Sequence, residues 1–146
     1  MGQKTVKVRG LQDDKFKMDV TAGNHTVIID QPVPMGGGDS GPNPLEFGLV
    51  SLAGCIGAIG RIIANQRKMD VRGFTVEVDG ELDTDNLLGI SSKHRAGFRK
   101  INVLVDIDAD MTVEEKVLFL KEIDSRCPIS DNFVHASEVI FQVHQG

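Results

Sequence analysis

From Pro44 to Ala64 the chain reads PLEFGLVSLAGCIGAIGRIIA, with Glu46 and Arg61 as its only charges. No other stretch limits the fold as much. Asn43 suits an N-cap and Pro44 the first helical position, and Glu46, three residues after Asn43, completes a capping box. Apolar and small residues then continue to Ala64, where Asn65-Gln66-Arg67-Lys68 turns polar. A helix apolar on nearly every side is predicted to be buried on nearly every side. A chain of 146 residues achieves that only by wrapping the helix in sheet or against a partner subunit. The most apolar part, Phe47 to Gly60, is too short to span a bilayer and rich in glycine, so a buried helix is expected. Cys55 sits among Gly54, Gly57, Ala58 and Gly60. Each glycine costs a helix interior up to about 1 kcal/mol relative to alanine. The small residues therefore point to a close approach to the helix backbone by another helix, a substrate or both.

The rest of the chain supplies the wrap. Val6 and Val8 alternate with charged residues, and Phe16, Met18 and Val20 do so after the polar turn Gln12-Asp13-Asp14-Lys15. HTVIID (25–30) follows Gly23-Asn24, and the three segments predict an antiparallel meander. PVPMGGGDSGPNP (32–44) has no periodicity and reads as a flexible loop lying over the fold. FTVEVDGEL (74–82) and RKINVLVDID (99–108) alternate cleanly as strands, joined by the polar segment Asp83–His94. A second helix is predicted from Thr112, with Glu115 completing a capping box, Val113, Val117, Leu120 and Cys127 near one face, and Pro128 as its stop. SEVIFQV (137–143) is the last predicted strand. The expected fold class is α+β with antiparallel sheet, ordered β-β-β-α-β-β-α-β, in a single domain over residues 1–146.

Composition removes several functions. The net charge of −5 argues against a general nucleic-acid binder, and seven Phe with no Trp or Tyr supply few base-stacking platforms. The opening MGQKTVKVRG reads as a half-buried strand, not a signal peptide. Two cysteines make no secreted disulfide framework, so a soluble, cytoplasmic protein without a membrane partner is expected. Gly36-Gly37-Gly38 lacks the remainder of a phosphate loop. His25, His94, His135 and His144 show no ligand spacing, and no cofactor or metal is expected. SSKHR (91–95) with Arg99-Lys100 makes a small basic cluster, read as a solvated loop. Cys55 and Cys127 fit small core hydrophobes as residues. Their meeting in space would need Cα atoms within about 7 Å for a disulfide.

Three segments carry a resemblance. GPNPLEFGLVSLAGCIG (41–57) and RCPISDNF (126–133) resemble the paired signatures of the OsmC/Ohr family, and RAGFRKINVLVDID (95–108) is similar to that family's strand before the second helix. The resemblance covers nearly the whole chain. It implies an intertwined homodimer in which antiparallel sheets wrap two central helices, with two sites at the subunit interface. It also implies a thiol peroxidase that reduces organic hydroperoxides. Cys55 would be the peroxidatic thiol, passing through a sulfenic acid, and Cys127 the resolving thiol that closes a disulfide. A dithiol, often lipoyl-linked, would restore both. Cys55 lies beyond the first turn of its helix, where the helix dipole has faded, so a cationic partner is needed to ionise it.

The chain departs from the peroxidase pattern in two places. Those proteins place Glu directly after the Asn-Pro of the helix start; here Leu45 holds that position and the acid is Glu46. A one-residue shift turns a helical side chain by about 100°. They also carry an Arg in the loop between the first two strands; here the loop offers Lys15, and Arg9 precedes it on the first strand. Catalytic roles for Cys55, Cys127, Glu46 and Arg9 are the expectation. The alternative on the same fold is a binding protein for an apolar or thioester-bearing small molecule, favoured by Leu45. A third reading is a stress-linked structural or interaction protein whose cysteines are merely packed.

Overall fold

The structure, a computed structural model, describes residues 2–145. They fall into two compact units, one ending at Leu49 and the other beginning at Val50. The fold is α+β, with antiparallel sheet in each unit.

The N-terminal unit holds the meander. β1 (Val8–Gln12), β2 (Met18–Ala22) and β3 (His25–Ile29) pair in that order, with Gln12 opposite Met18 and Ala22 opposite His25. The first strand begins later than the alternation suggests and is not half-buried: Val6 precedes it, and Val8 and Leu11 are 59% and 63% exposed. The glycine-rich loop that follows is pinned. After one 3-10 turn at Val33–Met35, Asp30 gathers it up, accepting hydrogen bonds from the Gln31, Gly38 and Ser40 N–H groups and from the Ser40 hydroxyl at 2.6 to 3.2 Å. Gly37 passes so close that a Cβ there would lie 2.0 Å from the Gln31 carbonyl oxygen. A side chain at this position is sterically impossible, so glycine is required for contact here.

α1 (Pro44–Gln66) starts as its capping box directs: the Glu46 N–H donates to Asn43 Oδ1 at 2.8 Å and the Asn43 N–H to Glu46 Oε1 at 3.1 Å. From Pro44 to Gln66 the helix has 23 residues and a mean hydropathy of 1.9 over its most apolar window, enough by length and composition to cross a membrane. Its packing is that of a core helix on one side only. Leu52, Ile56, Gly60, Ile63 and Ala64 recur at helical spacing and are buried. Val50, Gly54, Ala58 and Ile62 form the opposite, exposed strip. Burial on nearly every side is therefore not reached within one chain.

In the C-terminal unit, β4 (Val71–Glu81) and β5 (Lys100–Ala109) pair antiparallel over their length, with a bulge between Val71 and Gly73. One face of this hairpin packs against α1 and against α2 (Val113–Arg126). Val71, Ile107 and Ala109 meet Leu52, Ile56, Ile63 and Ala64 of α1 and Phe119, Ile123 and Cys127 at the far side. Phe74 meets Phe119 edge to face, centroids 6.0 Å apart. α2 begins with the predicted Thr112–Glu115 capping box. Its buried face matches the predicted one only in part: Cys127 is buried and Leu120 half-buried, but Phe119 and Ile123 are buried in place of Val113 and Val117, which are 73% and 47% exposed. Large side chains take the core here, because the sheet offers the Phe74 ring as a partner.

Two further differences concern the chain after α2. Pro128 does not simply end a helix; it opens α3 (Pro128–Val134), where a proline at the first helical position is as favourable as it is unfavourable inside α2. The predicted last strand, 137–143, is absent, and residues 136–145 carry neither strand nor helix. Val139, Ile140, Phe141 and Val143 are 70%, 70%, 92% and 89% exposed. The residues alternate well enough for a strand, but among the described residues they have no ladder partner, and a strand without one leaves its backbone donors and acceptors to water.

Candidate active site

Both cysteines belong to the C-terminal unit, and the fold brings them together. Cys55 is half-buried on α1 and Cys127 is 1% exposed at the single-residue junction between α2 and α3; neither is in a disulfide. Their side chains lie within hydrogen-bonding reach of each other. Burial pushes the Cys127 thiol up from its ordinary range, and the hydrogen bond and charge interaction with Cys55 push it the same way. The Ser130 N–H, donated to the Cys127 sulfur at 3.4 Å, pulls weakly in the other direction. Cys127 is thus held as a neutral thiol against its neighbour.

The glycines around Cys55 divide by function. A Cβ on Gly60 would lie 2.6 Å from the Phe74 ring, so this glycine lets the helix settle onto the hairpin. A Cβ on Gly54 or Gly57 would meet nothing within 4 Å. Those two leave the surroundings of Cys55 open. A cavity of about 350 Å³ lies in the same unit, with Leu52 and Ile56 of α1, Val103 of β5, and Val117, Leu120 and Ile123 of α2 in its wall. Leu52 and Ile56 flank Cys55 along α1. The far ends of the two helices are clamped: Glu122 accepts from Arg67 at 2.5 Å and from Arg126 at 3.4 Å, and Arg126 also donates to Gln66 at 3.1 Å. Arg61 donates to the Val71 carbonyl at 2.8 Å and lies over the Phe74 ring.

The other two expected site residues belong to the N-terminal unit. Glu46 has its carboxylate engaged in the capping box. Arg9 is exposed on β1, opposite Thr21. Asp30, 3% exposed, was not legible as special: an aspartate after a strand reads as a turn former. The Ser40 hydroxyl first, then the Gln31 and Ser40 N–H groups, hold its carboxyl down from 3.8 to about 2, against the opposing effect of burial. The Ser130 hydroxyl donates to Asp124 Oδ1 at 2.5 Å, a second polar contact outside the expected site residues. The signal was present in Pro128, since Cys-Pro-x-Ser has the form of an N-cap, a first-turn proline and a third-position donor.

Antiparallel sheet, one long glycine-bearing helix with a half-buried thiol, and a second thiol brought against it from a helix junction define a two-thiol α+β protein, an arrangement consistent with a two-cysteine redox mechanism. The chain belongs to the OsmC family: the OsmC-like protein model matches residues 36–142. None of the curated proteins matches it. Among solved structures, the fold is similar to the OsmC-like protein of Mycoplasma pneumoniae, at 20% identity and a TM-score of 0.79, over 93% of this chain and 91% of that one. It is also similar to an organic hydroperoxide resistance protein OsmC from Legionella pneumophila (16% identity, TM-score 0.67, 91% of each chain). A third, from Elizabethkingia anophelis, is an organic hydroperoxide resistance protein with thiocyanate bound (17% identity, TM-score 0.67, 90% of this chain and 89% of that one).

Proposed function

We propose that the chain is a two-cysteine thiol peroxidase for organic hydroperoxides. The observation that carries this reading is the contact of two free thiols of unequal burial. The half-buried Cys55 is the one an external peroxide can reach. Its thiolate attacks the distal peroxide oxygen, the O–O bond breaks, the alcohol leaves and Cys55 becomes a sulfenic acid. The Cys127 sulfur then attacks the Cys55 sulfur; its proton and the leaving hydroxide form water, and a disulfide results. A dithiol of the lipoyl type returns both thiols by exchange, taking the disulfide onto itself. The names of the Legionella and Elizabethkingia relatives support the substrate class.

The acting form is an intertwined cytoplasmic homodimer of a single OsmC-like domain, 1–146, with sheets wrapping two central helices and without nucleic-acid or membrane partners. The exposed Val50–Gly54–Ala58–Ile62 strip and the exposed tail at 139–143 support it, because apolar surface of both kinds is disfavoured in water.

Free thiols counted before and after one equivalent of an organic hydroperoxide, with peptide mapping, test the reading. Both thiols should vanish into a Cys55–Cys127 disulfide, and Cys55→Ser should consume no peroxide. Full activity in Cys55→Ser overturns it. The apolar cavity and Leu45 favour a second reading, a binding protein for an apolar small molecule. Native mass spectrometry of freshly purified protein should then show a stoichiometric adduct.

A further inference from the structure

Cys127 occupies an unusual joint. It is at once the C-cap of α2 and the N-cap of α3, with extended backbone (φ −85°, ψ 111°) between two helical segments. The position of its sulfur therefore follows the angle at which α3 leaves α2. Little core packing fixes that angle: α3 has no fully buried residue, and its contacts are a half-buried Ile129 and the Phe133 ring 6.5 Å from Phe98. Polar bonds do the rest. The Ser130 hydroxyl donates to Asp124 Oδ1 at 2.5 Å, bridging the joint from α3 to α2. The same serine's N–H donates to the Cys127 sulfur at 3.4 Å, and the Cys127 N–H donates to the Asp124 carbonyl at 3.2 Å. Asp124 and Ser130 thus close a ring around the cysteine, and a bend at the joint that moves the sulfur must stretch or break that ring.

We propose that the Asp124–Ser130 bond is a latch that holds Cys127 against Cys55, making both residues positioning residues for the step in which the two sulfurs join. The inference rests on the proposed resolving role of Cys127, but its test needs no peroxide. Ellman's reagent, an aromatic disulfide, exchanges with Cys55: the cysteine sulfur bonds to one half of the reagent and the other half leaves as a coloured thiolate. Cys127, losing its proton to solvent, then attacks the Cys55 sulfur and expels the second coloured thiolate as the protein disulfide closes. The first release reports access to Cys55, and the second, a first-order step, reports the placement of Cys127.

Ser130→Ala deletes the latch while keeping the N–H donor to sulfur, and Asp124→Ala deletes it from the other side. Each should slow the second release by about threefold to tenfold, the range set by loss of one charge-assisted hydrogen bond. The double variant should close no more slowly than the singles, because both remove the same bond. Ser130→Thr, which keeps the hydroxyl, should restore the rate; a merely structural defect would not be rescued in this way while the first release stays fast. Variants that close at the wild-type rate, fully additive effects, or a wild-type protein that never releases the second thiolate overturn the latch. Failure of the peroxidase reading would instead appear as normal closure with no peroxide consumed.

Discussion

Asp30 and Cys127 are both acids, both almost out of reach of water, and they sit in different units with opposite protonation. Asp30 is 3% exposed and stays charged down to about pH 2. Cys127 is 1% exposed and is pushed above the ordinary thiol range. Burial acts in the same direction on both, against the anion. The difference lies in the donors. Asp30 receives four, and the loop that delivers them is ordered by giving them. Cys127 receives only weak backbone N–H bonds, from Ser130 and Ile129, and the neighbouring thiol. One acid is spent on architecture, while the other is kept neutral beside a second thiol.

The sharpest way to break this comparison is to delete each acid. Cys127→Ser should abolish the intramolecular disulfide completely while the urea midpoint stays close to wild type, since serine is itself a good N-cap for α3. Asp30→Ala should do the reverse, leaving the thiol chemistry in place and raising amide exchange at Gly38 and Ser40, whose partner is gone. Unchanged exchange there would remove the structural half of the contrast.

The pH windows follow from the two directions. Because the folded value of Asp30 is lowered, its contribution is present above about 3.8 and is lost as pH falls towards 2, so wild-type stability should drop in that range and Asp30→Ala should lack that drop. Because the folded value of Cys127 is raised, its contribution is present below the ordinary thiol range and is lost as pH rises through the folded value. Iodoacetamide mapping at mildly alkaline pH should therefore find Cys55 modified before Cys127. The smallest effects concern the glycines. Gly60→Ala should destabilise the protein by about 1–3 kcal/mol through overpacking against Phe74, whereas Gly54→Ala should be neutral or stabilising by up to about 1 kcal/mol in a lone chain. Equal losses at both positions would show that Gly54 also lies against something, as in the proposed dimer.

What was legible in the sequence was mostly local. Both capping boxes, Asn43–Glu46 and Thr112–Glu115, are written within four residues and form as read. The β4–β5 hairpin was legible because its strands alternate over one core face, whereas the same alternation misled at β1, which is paired but exposed along its length. The core face of α2 was misread in part because helical spacing alone allowed Val113 and Val117, while the choice of Phe119 depended on Phe74, far away in the chain. Residues 137–143 look like a strand for good reason, but pairing is a property of two segments. The cysteine segments were legible only through their resemblance to a family; the spacing of two single thiols says nothing about their meeting. Asp30 was invisible, since a buried aspartate uses the same residue as an ordinary turn, and around the Asp124–Ser130 bond only the capping form Cys-Pro-x-Ser was legible.

The approach of Gly60 to Phe74 has a consequence for how such a chain can change over time. Helix and hairpin share one fixed volume there, divided as nothing on one side and a full ring on the other. Neither residue is free to drift alone: a larger residue at position 60 collides with the ring, and a smaller one at 74 leaves a void where no glycine side chain can follow. The two positions should therefore be inherited as a couple, exchanged only when one shrinks as the other grows.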